Sequence, residues 1–215
     1  PGSNCDRDIA VSIKNISGNA PEMVWHKETS INTSDLIVVP GGFSYGDYLR
    51  CGAIASTSPI MKDVVKKAND GVPVIGICNG FQILIECSLL DGALMRNESL
   101  SFICKDIFIK SKNNSSIFTK NTNIAKIPIA HNEGNYFVSS DQLKKIQDND
   151  QIAFQYCDQN GNIDNASNPN GSLKNIAGVL NKQKNVLGMM PHPERAAEKI
   201  LGCDDGKSVF ESFVN

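Results

Sequence analysis

The sequence predicts an α/β protein in which a mostly parallel sheet is flanked by helices and antiparallel strands are added in the C-terminal half. Short β-branched apolar runs alternate with amphipathic helical patterns in the first half, which is typical of a parallel sheet. The second half contains short strand patterns separated by Asn, Gly and Ser turns. The chain has 215 residues, 40% of them hydrophobic, enough for the single domain that we expect over residues 1–215.

Apolar periodicity and turn residues define the expected elements in chain order. The first half is predicted to contain a helix capped by Asn4 or Asp6 and ending near residue 17, a short strand at 23–26, a strand at 35–39, a helix at 58–69 with Ser58 as its cap, a strand at 72–77 and a helix at 81–90. The second half is predicted to contain strands at 102–109, 124–129, 151–156, 176–180 and 186–190, and helices at 140–148 and 207–214.

Composition and charge exclude several classes of function. The formal net charge of −2 argues against nucleic acid as a partner. No apolar run reaches the ~18 residues needed to cross a bilayer, and the N-terminus lacks a secretory pattern, so we expect a cytoplasmic protein. The seven cysteines contain no CxxC pair, and therefore indicate neither a disulfide framework nor a zinc site.

The segment 72–90 carries the clearest signal for chemistry. Gly76 and Gly80 flank Cys78 at a spacing of two, which is the G-x-nucleophile-x-G pattern of a sharp strand-to-helix turn. Such a turn strains the nucleophile's backbone and leaves no room for side chains two residues away. The helix start favours negative charge, and the N–H of Asn79 is available to an oxyanion. The alternative is a small buried cysteine without chemistry.

A cysteine nucleophile needs a base and a group that orients the base. His192 follows an apolar strand pattern and lies between two prolines that fix its backbone, and Glu194 is two residues further on. Gly41 and Gly42 follow another strand, where their N–H groups can approach a ligand closely. Each segment alone could be an ordinary turn, but parallel strands would bring all of them to one edge of the sheet.

These motifs resemble a known family. The Gly-Ile-Cys-Asn-Gly-Phe-Gln run at 76–82 and the Pro-His-Pro-Glu run at 191–194 resemble the class I, or triad, glutamine amidotransferases, which have a flavodoxin-like α/β fold. The run at 40–55, the Gly-Ser-Asn-Cys-Asp-Arg-Asp run at 2–8 and the run at 185–195 are similar to the glutaminase subunits of phosphoribosylformylglycinamidine synthases. The similarity extends over nearly the whole chain.

The resemblance implies a glutaminase with a Cys-His-Glu triad. Cys78 matches the nucleophile, His192 the general base and later acid, and Glu194 the residue that orients the histidine. The backbone N–H groups of Gly42 and Asn79 match the oxyanion hole. The ammonia would be delivered to a synthetase subunit that converts formylglycinamide ribonucleotide to formylglycinamidine ribonucleotide in purine biosynthesis.

The same resemblance implies the substrate site and the partners. Gln82 would help to frame the glutamine pocket. The chain has no phosphate-binding loop of its own, so we expect no cofactor or metal in it and place ATP and Mg²⁺ on the synthetase. A small accessory subunit is also expected in the complex. Loop residues that could contact a partner or line the ammonia exit, or else be solvated, are Asp47, Tyr48, Arg50, His131 and Glu133.

Two departures from the family pattern have consequences. Asn132 stands where the family usually has Gly, and Asn tolerates left-handed backbone better than most residues. Family members also have an apolar strand just before the segment that starts at Pro1. This strand would be central in the sheet, so we expect the natural protein to contain it.

Two other classes of function stay open at the level of sequence. The chain could be a catalytically silent subunit that scaffolds or gates the synthetase, although the intact triad residues argue against this. It could also be a redox or chaperone protein of a related elbow-cysteine fold. Such proteins lack the Pro-His-Pro-Glu segment, which counts against that alternative.

Overall fold

A computed structural model describes residues 2–47, 50–112 and 115–214, except for the side chains of residues 46, 47 and 214. The helices are α1 (Asp6–Ser17), α2 (Ala53–Ser56), α3 (Pro59–Asn69), α4 (Asn79–Glu86), α5 (Ser140–Asp148) and α6 (Lys207–Val214). The strands are β1 (Ile37–Val39), β2 (Val74–Ile77), β3 (Ala93–Met95), β4 (Ile103–Ser111), β5 (Ile124–His131), β6 (Asn135–Phe137), β7 (Ile152–Cys157), β8 (Ile176–Leu180) and β9 (Val186–Met189).

The main sheet of the described residues is mixed, with the order β1-β2-β9-β8-β7-β4-β5. β1, β2 and β9 are parallel to one another, whereas β8, β7, β4 and β5 continue the sheet in antiparallel pairs. The α/β prediction is therefore confirmed, and the antiparallel additions come from the second half of the chain, as expected. Among the described strands of this sheet the antiparallel pairs outnumber the parallel ones, so the sheet is mixed rather than mostly parallel as predicted.

β2 lies at the centre of the parallel part of the sheet. All four of its residues are buried, and it pairs with β1 on one side and with β9 on the other. A strand buried on both faces needs a continuous apolar run, which the sequence Val-Ile-Gly-Ile supplies. Helices α3 and α4 bury their apolar faces against this part of the sheet.

Local signals predicted several elements closely. α3 begins at Pro59 after the N-cap Ser58, and α5 has the full capping box between Ser139 and Gln142. The bounds of α5, α6 and β8 agree with the prediction. The cap of α1 is different: Cys5 occupies the N-cap position without a side-chain hydrogen bond, whereas Asn4 or Asp6 was expected.

The predicted strand at 23–26 is wrong, because this segment pairs with no other strand of the described residues. Met23 and Trp25 are more than half exposed there. Apolar alternation makes a strand only where a neighbouring strand accepts its backbone hydrogen bonds. Conversely, β3 and β6 form a separate antiparallel pair that the sequence analysis did not predict, since each has only three residues.

No helix among the described residues is long and apolar enough to cross a membrane.

Candidate active site

Cys78 lies in a strained turn between β2 and α4. Its backbone has φ 52° and ψ −108°, a positive φ that costs a residue other than glycine of the order of 1–3 kcal/mol. A Cβ at Gly80 would lie 1.9 Å from the carbonyl oxygen of Val39, and one at Gly76 would lie 2.7 Å from that of Gly80. The two glycines are therefore needed for the close approach of α4 to the sheet, as the motif predicted.

The parallel pairing of β2 and β9 brings Cys78 and His192 to the same edge of the sheet. Ile77 and Met189 are partners in the register, and Cys78 donates its backbone N–H to Met189 O at 2.8 Å. After β9 the chain continues over only two residues to His192, whose own N–H donates to Pro128 O at 2.9 Å. Elements far apart in sequence thus position the thiol and the imidazole side by side.

His192 and Glu194 form a buried pair. The two side chains are 3% and 0% exposed, and His192 Nδ1 lies 2.6 Å from Glu194 Oε1. Burial alone would lower the pKa of His192. Negative charge on Cys78 and Glu194, helped by the polar sulfurs of Cys5 and Cys78, outweighs burial and raises the pKa well above its ordinary value. His192 is therefore a strong proton acceptor next to Cys78.

The predicted oxyanion donors belong to the glycine loop after β1 and to the start of α4. Asn79 is the first residue of α4, where backbone N–H groups have no partner within the helix. Gly42 faces Ser3 in an antiparallel bridge. A Cβ at Gly42 would lie 2.7 Å from Ser3 Cα, so the contact with the N-terminal segment requires glycine here.

A chain of buried hydrogen bonds links the glycine loop to the loop after β5. Ser44 Oγ donates to Asn79 Oδ1, and Asn79 Nδ2 donates to Gln82 Oε1 at 2.8 Å. Gln82 Nε2 then donates to Glu133 O at 2.9 Å. Gln82 therefore fixes the position of the loop after β5 relative to the turn at Cys78.

His131 is the last residue of β5 rather than a loop residue, because the β4–β5 ladder continues to the pair Ile103 and His131. Its ring is buried between Asn97, at 3.0 Å from Nδ1, and Asn170, at 3.5 Å from Nε2. Burial, and then the charge of His192, lower the pKa of His131 to about 4. The ring is therefore neutral at physiological pH, and it packs against Gly134 in the loop that follows.

The loop after β5 keeps ordinary backbone geometry at Asn132, which does not have a positive φ. The Gly-to-Asn departure therefore requires no left-handed conformation.

A cavity of about 530 Å³ opens beside Gln82. Arg50, Glu86, Arg96 and Glu133 line it together with Gln82. Arg50 pairs with Glu86 at 2.5 Å, and Arg96 lies 3.9 Å from Glu133, so charges of both signs face the cavity. This volume exceeds that of a free amino acid such as glutamine.

Two of the residues expected at an interface or at the ammonia exit fall outside the described part of the chain. These are Tyr48 as a whole and the side chain of Asp47.

The sequence analysis assigned no role to Cys5, which the structure places next to the base. Arg195 Nη2 donates to Cys5 Sγ at 3.0 Å, and this sulfur, a ring nitrogen of His192 and a carboxylate oxygen of Glu194 all lie within 4.8 Å of one another. The only signal in the sequence was the position of Cys5 inside the run at 2–8, which carried the resemblance but no chemistry.

The site as a whole contains a thiol next to a base of raised pKa, and the predicted backbone donors come from the adjoining helix start and the glycine loop. This arrangement can support nucleophilic attack on a carbonyl carbon, with proton transfer to a leaving group and stabilisation of an oxyanion. An acyl-transfer reaction that passes through a thioester has these requirements.

The chain is similar to known proteins. Residues 1–202 match the model of the CobB/CobQ-like glutamine amidotransferase domain. The chain is similar to phosphoribosylformylglycinamidine synthase subunit PurQ of Pelagibacter ubique, with 57% identity over 100% of this chain and 95% of the relative. It is 52% identical to the subunit of the same name from Synechocystis sp., over 99% of this chain and 96% of the relative.

Solved structures give the same result. The structure of PurLQS from Thermotoga maritima contains a chain with 43% identity and a TM-score of 0.87, covering 100% of this chain and 94% of that one. A glutamine amidotransferase from Thermotoga maritima, with 14% identity and a TM-score of 0.51, shares the fold over 98% of this chain and 92% of that one. The chain belongs to the family of CobB/CobQ-like glutamine amidotransferase domains.

Proposed function

We propose that this chain hydrolyses glutamine to glutamate and ammonia as the glutaminase subunit of a phosphoribosylformylglycinamidine synthase. The observation that carries the proposal is the strained Cys78 beside the buried His192–Glu194 pair. The names of the relatives support the assembly: those that are about half identical over nearly their whole length are PurQ subunits of this synthase.

In the proposed reaction His192 accepts the thiol proton as Cys78 Sγ attacks the carboxamide carbon of glutamine. The oxyanion that forms is stabilised by the N–H groups of Gly42 and Asn79, each worth about 3–4 kcal/mol in comparable hydrolases. His192 then gives its proton to the leaving nitrogen, and ammonia departs as a thioester forms. Water activated by the same ring hydrolyses the thioester and releases glutamate.

Glu194 acts on this sequence through His192. The Glu194 carboxylate accepts a hydrogen bond from His192 Nδ1, which leaves Nε2 as the nitrogen that exchanges protons. Nε2 has no hydrogen-bond partner within the described residues. Its negative charge also stabilises the imidazolium that forms when the thiol proton is transferred.

The glutamine site extends into the cavity beside Gln82. The amino acid part of glutamine carries one positive and one negative group, and the cavity offers Glu133 and Glu86 to the first and Arg50 and Arg96 to the second. Arg50 is largely exposed, with 73% of its side chain accessible, and this suits it also to contact with a partner.

The ammonia is used by a synthetase subunit that binds ATP and Mg²⁺, and this chain contributes no cofactor. The neighbour from Thermotoga maritima is described as PurLQS, which supports a complex with a synthetase subunit and a small accessory subunit. We expect the complex to work in the cytoplasm, where cysteines without disulfide partners are maintained.

Glutamate release from glutamine tests the function, with and without the synthetase. We expect release by the wild type to rise in the complex, since free ammonia is wasteful, and Cys78→Ala to reduce it by at least about 10⁴-fold. Cys104→Ser is the matched control, because it removes an exposed thiol and should leave release unchanged.

The same experiment separates the alternative of a silent scaffold. If the wild type and Cys78→Ala are equally inert in the complex, while the synthetase still needs this chain when ammonia is supplied directly, the chain is a scaffold and the proposed catalysis is wrong.

A further inference from the structure

Cys5 and the catalytic pair His192–Glu194 form a compact set of metal-ligating side chains, and the glutaminase reaction gives Cys5 no role. A sulfur, an imidazole nitrogen and a carboxylate oxygen lie within 4.8 Å of one another, and each of the three residues is only 2% exposed. Thiolate, imidazole and carboxylate are the ligands that Zn²⁺ prefers. In tetrahedral zinc sites the ligand atoms lie roughly 3.3–3.8 Å from one another, given the usual bond lengths. Small rotations of the three side chains would bring their ligand atoms to this spacing.

The glycine loop keeps the sulfur and the ring together. A Cβ at Gly41 would lie 2.9 Å from His192 Cε1 and 3.4 Å from Cys5 Sγ. The backbone N–H of Cys5 donates to Gly41 O, and Ser3 Oγ donates to the same oxygen at 2.8 Å. The sulfur is therefore held against the imidazole by backbone contacts of the N-terminal segment.

Two atoms of this cluster lack partners although they are buried. Neither Glu194 Oε2 nor His192 Nε2 has a hydrogen-bond partner among the described residues. A buried carboxylate oxygen without a partner costs free energy, and a cation that binds it recovers this cost. The cluster thus has both the ligand chemistry and the unsatisfied atoms of a cation site.

A second cavity lies next to the cluster, on the side of α1. It has a volume of about 410 Å³ and is lined by Asp8, Val11, Glu194, Arg195, Glu198 and Leu201. Outside the cluster, Asp8 and Glu198 are the carboxylates that line this cavity, and their negative charge favours a cation there. The cavity beside Gln82 has a different lining, so glutamine and a cation would approach His192 by different routes.

Arg195 is the positive group that opposes a cation here. Its Nη2 donates to Cys5 Sγ, while its Nε lies 3.9 Å from Asp8 Oδ2. The Arg195 side chain is 39% exposed, so it can turn towards Asp8 and solvent when a metal takes its place on the sulfur.

We propose that Cys5, His192 and Glu194 bind one thiophilic divalent cation, with Zn²⁺ as the best fit, and that the bound cation blocks the base. Water completes the coordination. Binding releases the thiol proton of Cys5 and the extra proton of the protonated His192 ring to solvent, and involves no oxidation or reduction. With the imidazole on the metal, His192 cannot accept a proton from Cys78, so the site inhibits the glutaminase.

The inhibition, but not the binding, rests on the proposed glutaminase function. Because the cavity beside Gln82 and the cavity beside α1 share no lining residue, zinc should lower kcat and leave KM nearly unchanged. Zinc captured directly by the catalytic thiol would instead compete with glutamine and raise the apparent KM.

Metal binding is measured first, by calorimetric titration of Zn²⁺ into the Cys78→Ala chain, which lacks the catalytic thiol. We expect one zinc per chain, and a thiolate-to-metal absorption band when Co²⁺ replaces zinc. Adding Cys5→Ser should weaken binding at least about tenfold and remove the band, whereas adding Cys104→Ser, the exposed control, should change neither.

Folding is checked by circular dichroism, and His192→Gln in the Cys78→Ala background serves as the second ligand variant if Cys5→Ser does not fold. Zinc binding that is unchanged by the ligand variants, or lost equally with Cys104→Ser, overturns the proposal. So does the absence of binding.

Inhibition is then measured on glutamine hydrolysis by the complex with the synthetase. Zinc should lower kcat for the wild type and for Cys104→Ser, but at least about tenfold more zinc should be needed for Cys5→Ser. A complex that binds zinc through Cys5 but hydrolyses no glutamine even without zinc would refute the proposed function and leave the metal site standing.

Discussion

Two buried histidines lie near Cys78, and their electrostatic properties are opposite. His192 has Glu194 at 2.6 Å, and its pKa is raised well above the ordinary value. His131 has the amide groups of Asn97 and Asn170 as neighbours, and its pKa is lowered to about 4. Both rings are almost inaccessible to solvent. The charge of the neighbours, rather than the depth of burial, therefore decides which histidine can act as a base.

The two residues also affect stability in opposite directions as the pH changes. The raised pKa of His192 means that it contributes stability below pH ~6.5, and this is lost as the pH rises through the folded-state pKa. The lowered pKa of His131 means that the unfolded chain binds its proton first. The stability associated with His131 is present above pH ~6.5 and is lost as the pH falls towards about 4.

The strongest effect should come from removing the charge that distinguishes His192. Glu194→Gln replaces the carboxylate by a neutral amide, and its NH₂ group can force the ring into the wrong tautomer. We expect glutamate release by the complex to fall by about 10³–10⁴-fold, as for the equivalent change in serine proteases. The measurement is the pH profile of kcat/KM, in which the pKa of His192 should fall.

Glu198→Gln is the control for this change, because it neutralises a nearby carboxylate that does not contact His192. A Glu194→Gln enzyme with wild-type rate and pH profile would contradict the role of Glu194.

An intermediate effect is expected on the acid stability of His131→Asn. The pKa of about 4 predicts that the wild type loses about 2 kcal/mol of folding free energy through this residue between pH 7 and pH 5. Asn can still donate to Asn97 but does not titrate in this range, so the variant should lack that loss even if it is less stable at pH 7. Urea unfolding at the two pH values measures the difference.

Cys104→Ser is the control, since it changes an exposed side chain outside this network. Its acid stability should follow that of the wild type. An unchanged pH dependence in His131→Asn would mean that other groups cause the acid destabilisation.

A weaker effect is expected from giving His131 a neighbour of the kind that His192 has. Asn97→Asp places a carboxylate about 3 Å from His131 Nδ1, and should raise the pKa of His131 from about 4 towards its ordinary value. The loss of the two hydrogen bonds that Asn97 Nδ2 donates also affects stability, so the readout is the titration of the ring by NMR. A pKa that stays near 4 would show that burial dominates after all.

Much of the site could be predicted from sequence because its pieces are local. The strand, the turn at Cys78 and the start of α4 follow one another directly, and the glycines at 76 and 80 have a steric reason that the motif already contains. Proline and serine similarly define the start of α3, and the capping box defines that of α5. In each case residues within a few positions of one another satisfy their own backbone and side-chain requirements.

Elements that depend on distant partners were predicted less well. The segment 23–26 has the apolar pattern of a strand but pairs with none in the described residues, whereas β3 and β6 pair with each other despite having three residues each. The hydrogen-bond partner of a strand is set by the topology of the whole sheet, and the pattern of a single segment does not contain it.

The order of residues was enough to predict that a cysteine nucleophile, a histidine flanked by prolines and a glutamate would meet at one edge of an α/β sheet. The packing of the whole chain was needed to show why His192 is basic and His131 is not. The packing also brings Cys5 next to His192 and Glu194. Cys5 accepts a hydrogen bond from Arg195, which lies 190 positions away in the sequence. The physical reason is that pKa values and ligand sets depend on distances through space. Those distances are fixed when β2, β9 and the N-terminal segment pack against one another.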